Sequence, residues 1–137
     1  MVPKGNLIQS AASSGLQVGD FVFLSAADAL DEKGNPVGST FRERVMFCLK
    51  KIQDVLSDAG GELDSLVQLR VYYSAAEPIP VSVLEDILLE VMEEPLPALS
   101  LIPAGAVMGE VMIDGTAVVL SSPVSSCGGC SRCGRKL

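Results

Sequence analysis

Residues 97–120 read PALSLIPAGAVMGEVMIDGTAVVL, an almost entirely apolar stretch. Its β-prone residues predict two strands separated by a turn at Pro103–Gly105. Two carboxylates, Glu110 and Asp114, lie on or beside the second strand, and a carboxylate on a buried apolar strand needs a partner or a function. Two alternatives remain open. Either one carboxylate lies at an exposed sheet edge, or Asp114 and Gly115 form a hairpin turn that leaves Asp114 only a turn role.

Strands are also predicted on the N-terminal side of this stretch. Leu7–Ala12 is the first, and Gln17–Ser25 is the second, with a tight turn at Gly19-Asp20 before its most apolar part. Residues 31–38, DEKGNPVG, have the composition of a turn.

Residues 65–73 alternate between two faces, as a half-buried strand does. The face predicted to meet the helices consists of Val67, Leu69, Val71 and Tyr73. The other face consists of Gln68, Arg70 and Tyr72, and its polar side chains are suited to line an interface or a pocket. The alternative for Arg70 is an exposed strand arginine or one that pairs with a neighbouring carboxylate.

The first helix is predicted to begin at Thr40, where Thr40 and Glu43 form a capping box, and to end at Gly60-Gly61. Its apolar face consists of Phe41, Val45, Cys48, Leu49, Ile52, Val55 and Leu56. The residues predicted to lie off that face are Arg42, Lys50, Lys51 and Asp54.

A second helix is predicted after Pro80, with Ser82 and Glu85 as its capping box, and Pro95 and Pro97 stop it. Its buried face consists of Val83, Leu84, Ile87, Leu88 and Val91. The acidic residues on its other face are most simply a solvated surface.

The predicted order is strand, strand, helix, strand, helix, strand, strand. One sheet covered on one face by two helices is the economical arrangement, and a symmetric oligomer would cover the other face. The composition agrees, because 48% of the 137 residues are hydrophobic and the mean hydropathy is +0.40. Excess apolar surface of this kind is expected in a subunit interface.

Charge and composition also exclude some classes of partner. The net charge is −7, and no basic stripe is available to neutralise phosphates, so we expect no nucleic acid partner. Charged residues or glycines interrupt every apolar run, so we expect no membrane partner, and we expect a cytoplasmic protein.

The last residues differ in character from the rest. Residues 121–126 are typical of a linker, and residues 121–137 are expected to form a flexible tail rich in Ser, Gly and Cys after a domain of residues 1–120. Cys127, Cys130 and Cys133 have two overlapping C-x-x-C spacings that suit zinc or part of an iron–sulfur cluster. The chain has no histidine to serve as a fourth ligand. The alternative is a disordered thiol tail that forms disulfides, and no other cofactor is expected.

Five segments taken together resemble the Rid family of reactive intermediate deaminases, also called YjgF-like or endoribonuclease L-PSP-like. They are VGDFVFLS at 18–25, AGGEL at 59–63, LVQLRVYY at 66–73, PALS at 97–100 and IDGTAV at 113–118. The resemblance covers about residues 7–120. It implies an α+β, chorismate-mutase-like (YjgF-like) fold: a mixed β-sheet with two helices packed on one face, assembled as a homotrimer.

The resemblance also implies clefts between subunits that bind a small carboxylic acid or imine. Active members hydrolyse 2-imino or 2-enamino acids to 2-keto acids and ammonia. In them an arginine clamps the substrate carboxylate and a glutamate positions water. In this sequence Leu99 occupies the position of that arginine. Asp114 aligns with the glutamate without gaps, and a small gap would bring Glu110 nearer.

Two functions are therefore carried forward. The first is a trimeric imine or enamine deaminase with Ser25 as a hydrogen-bond donor, Arg70 as a substitute anion site and Asp114 as the carboxylate that positions water. Leu99 and Glu110 are the other candidates for substrate binding. The second is a non-catalytic trimer with a small-ligand-binding or regulatory role. Its cysteine tail would respond to metal or to redox state. A ribonuclease is a distant third, because the chain is acidic and lacks histidine.

Overall fold

The computed structural model describes residues 5–9, 14–74 and 78–120 and has an α+β fold. Six strands form one sheet: β1 (Asn6–Gln9), β2 (Ser14–Val18), β3 (Phe21–Asp28), β4 (Leu66–Tyr73), β5 (Ala98–Pro103) and β6 (Val111–Val118). Two helices, α1 (Phe41–Asp58) and α2 (Val81–Leu88), flank β4 in the sequence. Residues 17–25, predicted as one strand with an internal turn, contribute to two paired strands, β2 and β3, on either side of Gly19-Asp20.

The sheet order is β1-β2-β3-β6-β4-β5, and it corrects one expectation about residues 97–120. Both predicted strands are present, but they are not neighbours, because β4 lies between them. β5 runs parallel to β4, whereas β6 is antiparallel to both β3 and β4. The connection of residues 104–110, which includes a short 3-10 turn at Met108–Glu110, carries the chain past the end of β4. The last strand is therefore central in the sheet.

The hairpin alternative for Asp114-Gly115 is wrong, because both residues lie inside β6. Gly115 pairs with Leu69 of β4. A Cβ atom at Gly115 would lie 2.2 Å from the carbonyl oxygen of Gln68, so only glycine permits this approach of the two strands. Asp114 is thus held on a central strand and is available for a role other than a turn.

Helix α1 begins and ends close to where the sequence predicts. Thr40 is the N-cap, and its hydroxyl accepts a hydrogen bond from the amide of Glu43 at 3.1 Å. The return bond goes one residue further back than predicted, because the Glu43 carboxylate accepts from the amide of Ser39. Gly60 has a φ of +87°, which an L residue seldom adopts. The chain therefore leaves the helix at the predicted glycine pair.

Lys51 does not lie off the apolar face of α1 as predicted, but is buried with only 9% of its surface exposed. Its Nζ donates to the carbonyl oxygen of Asp28 at 2.9 Å, to Oδ1 of Asp28 at 2.8 Å and to the carbonyl oxygen of Leu30 at 2.9 Å. The ammonium ties the end of β3 to the helix. Because all three of its protons have oxygen partners, a lysine can be buried here.

Helix α2 departs from its predicted cap. Its N-cap is Pro80, and no side chain bonds to the first turn. Ser82 lies inside the helix, past the position from which a serine caps, so the predicted capping box with Glu85 is wrong. Val83, predicted to be buried, is 39% exposed, whereas Leu84, Ile87 and Leu88 are in the core. The helix is short, and its buried stripe is correspondingly narrow.

The core lies between the helices and one face of the sheet. Leu69, Val71 and Tyr73 of β4 face it as predicted, but Val67 is 47% exposed. The β4–β6 register shifts between Leu66 and Gln68, and this irregularity turns Val67 out of the alternation.

Among the described residues, no helix packs on the opposite face of the sheet. Phe21 and Phe23 lie on this uncovered face at alternate positions of β3, with 51% and 47% of their surfaces exposed. Their rings stack with centroids 6.1 Å apart. Exposed paired aromatic rings on a sheet are typical of a surface that another subunit covers.

Within the described ranges, neither helix is long and apolar enough to span a membrane. The proposed tail of residues 121–137, with its three cysteines, lies outside the described residues, and the division of the chain at residue 120 stays a prediction.

Candidate functional site

Arg70 and Asp114 meet on the uncovered face of the sheet. They are directly opposite each other in the β4–β6 register, and Nε of Arg70 donates to Oδ1 of Asp114 at 2.7 Å. The Arg70 side chain is 41% exposed and the Asp114 side chain 19% exposed. The predicted alternative that Arg70 pairs with a neighbouring carboxylate is confirmed, and its partner is the other predicted site residue.

The core explains why both charged side chains point outward. Leu69 and Val71, on either side of Arg70, have no exposed surface, and neither has Ile113, which precedes Asp114. Successive side chains of a strand point to opposite faces, so burying these neighbours forces Arg70 and Asp114 to the uncovered face. The pair is thus positioned by the packing of the opposite side of the sheet.

Tyr72 is the third polar residue of this group, two positions beyond Arg70 on β4. Its hydroxyl oxygen lies 3.5 Å from Oδ2 of Asp114, at the outer limit of a hydrogen bond. The hydrogen bond from Arg70 to Asp114, together with the charge of that carboxylate, raises the pKa of Arg70. The guanidinium therefore remains a cation at neutral pH.

Ser25 lies at an irregular point of β3 beside this group. Leu24 pairs with Gly115 and Ala27 pairs with Ile113, so Ser25 and Ala26 together oppose Asp114. The Ser25 hydroxyl is exposed and lies 2.8 Å from the hydroxyl oxygen of Ser14. Bulges of this kind often occur next to functional sites because they redirect side chains. The structure brings Ser25 to the same level of the sheet as Asp114.

Leu99 and Glu110 lie apart from the pair. Leu99 is opposite Leu69 in the β4–β5 register and packs, half-buried, against the core, so it is on the helix side of the sheet. Glu110 is exposed at the end of the 3-10 turn before β6, with a φ of +72°. No hydrogen bond joins either of them to Arg70 or Asp114 within the described part of the chain. Their roles in substrate binding stay predictions.

No metal site is present in the described ranges, where no group of three or more potential ligand side chains is close enough to hold an ion. Cys48, the cysteine that lies within these ranges, is a buried residue on the inner face of α1. Its thiol is 3.6 Å from the carbonyl oxygen of Val111. Burial raises the pKa of this thiol to about 12, which keeps it protonated and unreactive. The predicted metal ligands Cys127, Cys130 and Cys133 lie outside the described residues.

Sequence reasoning missed the environment of Lys51. An open cleft of about 800 Å³ lies between α1 and the loop after β3, and Lys51 lies in its wall together with Phe47, Lys50 and Asp54. The Lys51 ammonium lies 5.1 Å from the centre of the Phe47 ring. The sequence does contain a signal for this burial. Lys51 follows Cys48 by three positions, and residues three apart lie on the same face of a helix, here the apolar one. All three protons of the ammonium bond to protein oxygens, so we interpret Lys51 as a structural residue.

The Arg70–Asp114 group combines the elements needed to bind a small organic anion next to a carboxylate. A guanidinium has five N–H donors; one bonds to Asp114, and a second hydrogen bond involves the side chain of Tyr72. The remaining donors can hold a carboxylate in a bidentate manner. The free oxygen of Asp114 would then lie beside the bound molecule, where it can position water.

Comparison with known proteins places the chain in a family. The family described as "Endoribonuclease L-PSP" matches residues 8–119, most of the chain. No curated protein matches the chain.

Solved structures give the same result for the fold. RidA from the Antarctic bacterium Psychrobacter sp. has a TM-score of 0.70 and 21% identity, over 82% of this chain and 98% of that chain. YyfA from Yersinia pestis, a Rid family protein of unknown function, has a TM-score of 0.71 and 20% identity, over 83% and 98%. Yeast Mmf1 has a TM-score of 0.66 and 16% identity, over 86% and 95%. The fold is therefore YjgF-like, and the chain belongs to the endoribonuclease L-PSP (Rid/YjgF-like) family.

Proposed function

We propose that this protein is a cytoplasmic homotrimer that binds small carboxylic acids at Arg70 and Asp114 and hydrolyses 2-imino or 2-enamino acids to 2-keto acids and ammonia. The observation that carries the proposal is the meeting of these two side chains on the uncovered sheet face, 2.7 Å apart. Membership of the family supports the activity, which is the family's general chemistry.

In this reaction water adds to the carbon of the C=N bond, and the C–N bond then breaks. The oxygen of water becomes the keto oxygen, and both of its protons leave with the nitrogen as ammonia. No oxidant or reductant is needed. Arg70 holds the substrate carboxylate, and Asp114 orients water against the C=N carbon. Ser25, exposed at the bulge beside Asp114, would donate a hydrogen bond to the substrate.

The uncovered face supports the trimer. Phe21 and Phe23 are each about half exposed, and the partly exposed Arg70 and Asp114 lie on the same face of the sheet. A subunit packed on this face would bury the aromatic rings and enclose the ion pair. Enclosure excludes water and strengthens the electrostatic contacts to a bound ligand.

A second function, ligand binding without catalysis, is favoured by one observation. Leu99 stands where the resemblance places the clamping arginine, and it packs against the core on the other side of the sheet. Binding would then depend on Arg70 alone, and Asp114 is already engaged with Arg70. A trimer of this kind would bind small carboxylates and leave them unchanged.

The two functions are separated by ammonia release from 2-imino acids generated in the assay by an amino acid oxidase. We compare the wild type with Asp114→Ala and with Asp86→Ala, an exposed control on α2. Turnover in the wild type that is lost in Asp114→Ala and kept in Asp86→Ala supports the deaminase. Silence in the wild type with binding of pyruvate that Arg70→Gln abolishes supports the binding protein, and silence without such binding contradicts both functions.

Assembly is measured separately by light scattering after size exclusion. The proposal expects a particle of about three times the 14.3 kDa mass of the chain. A monomer at micromolar concentration would contradict it.

A further inference from the structure

The charge of the candidate site adds up to zero. The outward positions of the three adjacent strands β4, β6 and β5 carry Gln68, Arg70, Tyr72, Met112, Asp114, Thr116, Ala98, Ser100 and Ile102. In these described strands Arg70 and Asp114 are the charged members of that face. The residues of β3 nearest to the pair, Phe23, Ser25 and Ala26, are uncharged. Asp28 pairs with Met112 at the end of β3, and its carboxylate is neutralised by Lys51. A ligand on this face therefore meets one positive and one negative charge and no others from these strands.

The pair leaves both of its charged groups partly free. The contact uses Nε of Arg70 and Oδ1 of Asp114. The guanidinium also has a hydrogen bond with the side chain of Tyr72, which leaves three of its five N–H groups for a ligand. Oδ2 of Asp114 lies 3.5 Å from the Tyr72 hydroxyl oxygen, at the outer limit of a hydrogen bond. Side by side, the site presents N–H donors on a cation and an oxygen acceptor on an anion.

From this arrangement we propose that the site selects ligands that are themselves neutral overall, with a carboxylate and a protonated nitrogen on adjacent atoms. Amino acids and the iminium forms of 2-imino acids have this structure. The carboxylate would bind the free N–H groups of Arg70, and the protonated nitrogen would approach Oδ2 of Asp114. The inference rests on the proposed small-carboxylate site and specifies the class of molecule that the site takes.

Dianions are the molecules that this site would reject. Their first carboxylate can satisfy Arg70, but the second has no cation from these strands and adds repulsion from Asp114. On a face that a neighbouring subunit covers, an uncompensated charge loses its hydration without gaining a partner. Selectivity would then come from repulsion as well as attraction. Simple 2-keto acids, which have the anion without the cation, would fall in between.

The test is direct binding of three probes of similar size, measured by NMR titration at constant ionic strength. The probes are L-alanine, which is neutral overall, pyruvate, a monoanion, and succinate, a dianion. We expect L-alanine to bind about tenfold or more tightly than succinate to the wild type. Asp114→Asn makes the site positive, so it should reverse that order. The matched control is Asp86→Asn on the exposed face of α2, which changes net charge equally and should leave the order unchanged.

Three results would overturn the inference. They are succinate binding as tightly as L-alanine to the wild type, an unchanged order in Asp114→Asn, or no binding of any probe. The failure of the proposed activity is read separately, from ammonia release. Turnover with no preference for L-alanine over succinate overturns the inference alone, and the expected preference without turnover overturns deamination alone.

Discussion

Replacing Lys51 by Met should destabilise the protein far more than a lysine substitution on a helix usually does. Methionine preserves most of the apolar stem, so the change removes the ammonium and its three bonds to Asp28 and Leu30. Removing one partner of a buried ion pair costs about 3–5 kcal/mol when the other charge is left uncompensated. The Asp28 side chain is 27% exposed, so water recovers part of that cost. We therefore expect the free energy of unfolding to fall by about 2–4 kcal/mol.

Urea unfolding followed by far-UV circular dichroism measures this loss, since the chain has no tryptophan. Protein concentration is held constant because assembly contributes to the apparent stability. Lys50→Met is the matched control: Lys50 is the exposed neighbour, and its loss should change the unfolding free energy by less than about 0.5 kcal/mol. Adding Asp28→Asn to Lys51→Met should recover part of the loss, because the unpaired carboxylate disappears. Equal effects of Lys51→Met and Lys50→Met would refute the assigned structural role of the ammonium.

Three further predictions concern the fold. Because burial raises the pKa of Cys48 from 9.0 to about 12, the unfolded thiol ionises first as pH rises. Stability present below pH 9.0 should fall by up to about 1.4 kcal/mol per pH unit above it, and pH-dependent unfolding of Cys48→Ala should lack that component. Gly115→Ala should lower the free energy of unfolding, measured in urea, by about 2 kcal/mol or more, because the added Cβ would clash with the backbone of β4. Gly105 has open space around it, so Gly105→Ala should leave the free energy of unfolding nearly unchanged. Thr40→Ala should cost about 1 kcal/mol because it removes the N-cap of α1; a cost of that size for Ser82→Ala would contradict the uncapped start of α2.

Local patterns in the sequence predicted the elements whose signals are contained within one segment. The alternation of residues 65–73 predicted β4 and, apart from Val67, its inner face, and Thr40 with Gly60 marked the ends of α1. The order of strands could not be obtained in this way. Neighbouring segments usually pair, and residues 97–120 read as two neighbouring strands, but β4 inserts between them through parallel pairing with β5. Such long-range pairing leaves no local trace.

The candidate site was predicted as a set of residues but not as a contact. Alternation along each strand explains why the side chains of Arg70 and Asp114 point to the uncovered face. Their contact depends on the β4–β6 register, which no local sequence pattern specifies. Lys51 was missed because a periodicity argument assigns lysines to the solvated face. Its burial depends on three oxygen acceptors supplied by the end of β3 and the next turn. Leu99 was identified from the resemblance, and its packing against the core required the structure.

The central claim is that Arg70 holds the substrate carboxylate on the uncovered face of the sheet. The most direct test is kcat/KM for ammonia release in Arg70→Gln compared with Arg42→Gln. Arg42 also pairs with a carboxylate, that of Glu90, but this pair is exposed and joins the start of α1 to the turn after α2. The account predicts a fall of about 100-fold or more in Arg70→Gln and a value close to wild type in Arg42→Gln, with both variants folded by circular dichroism. A folded Arg70→Gln with wild-type kcat/KM would contradict it.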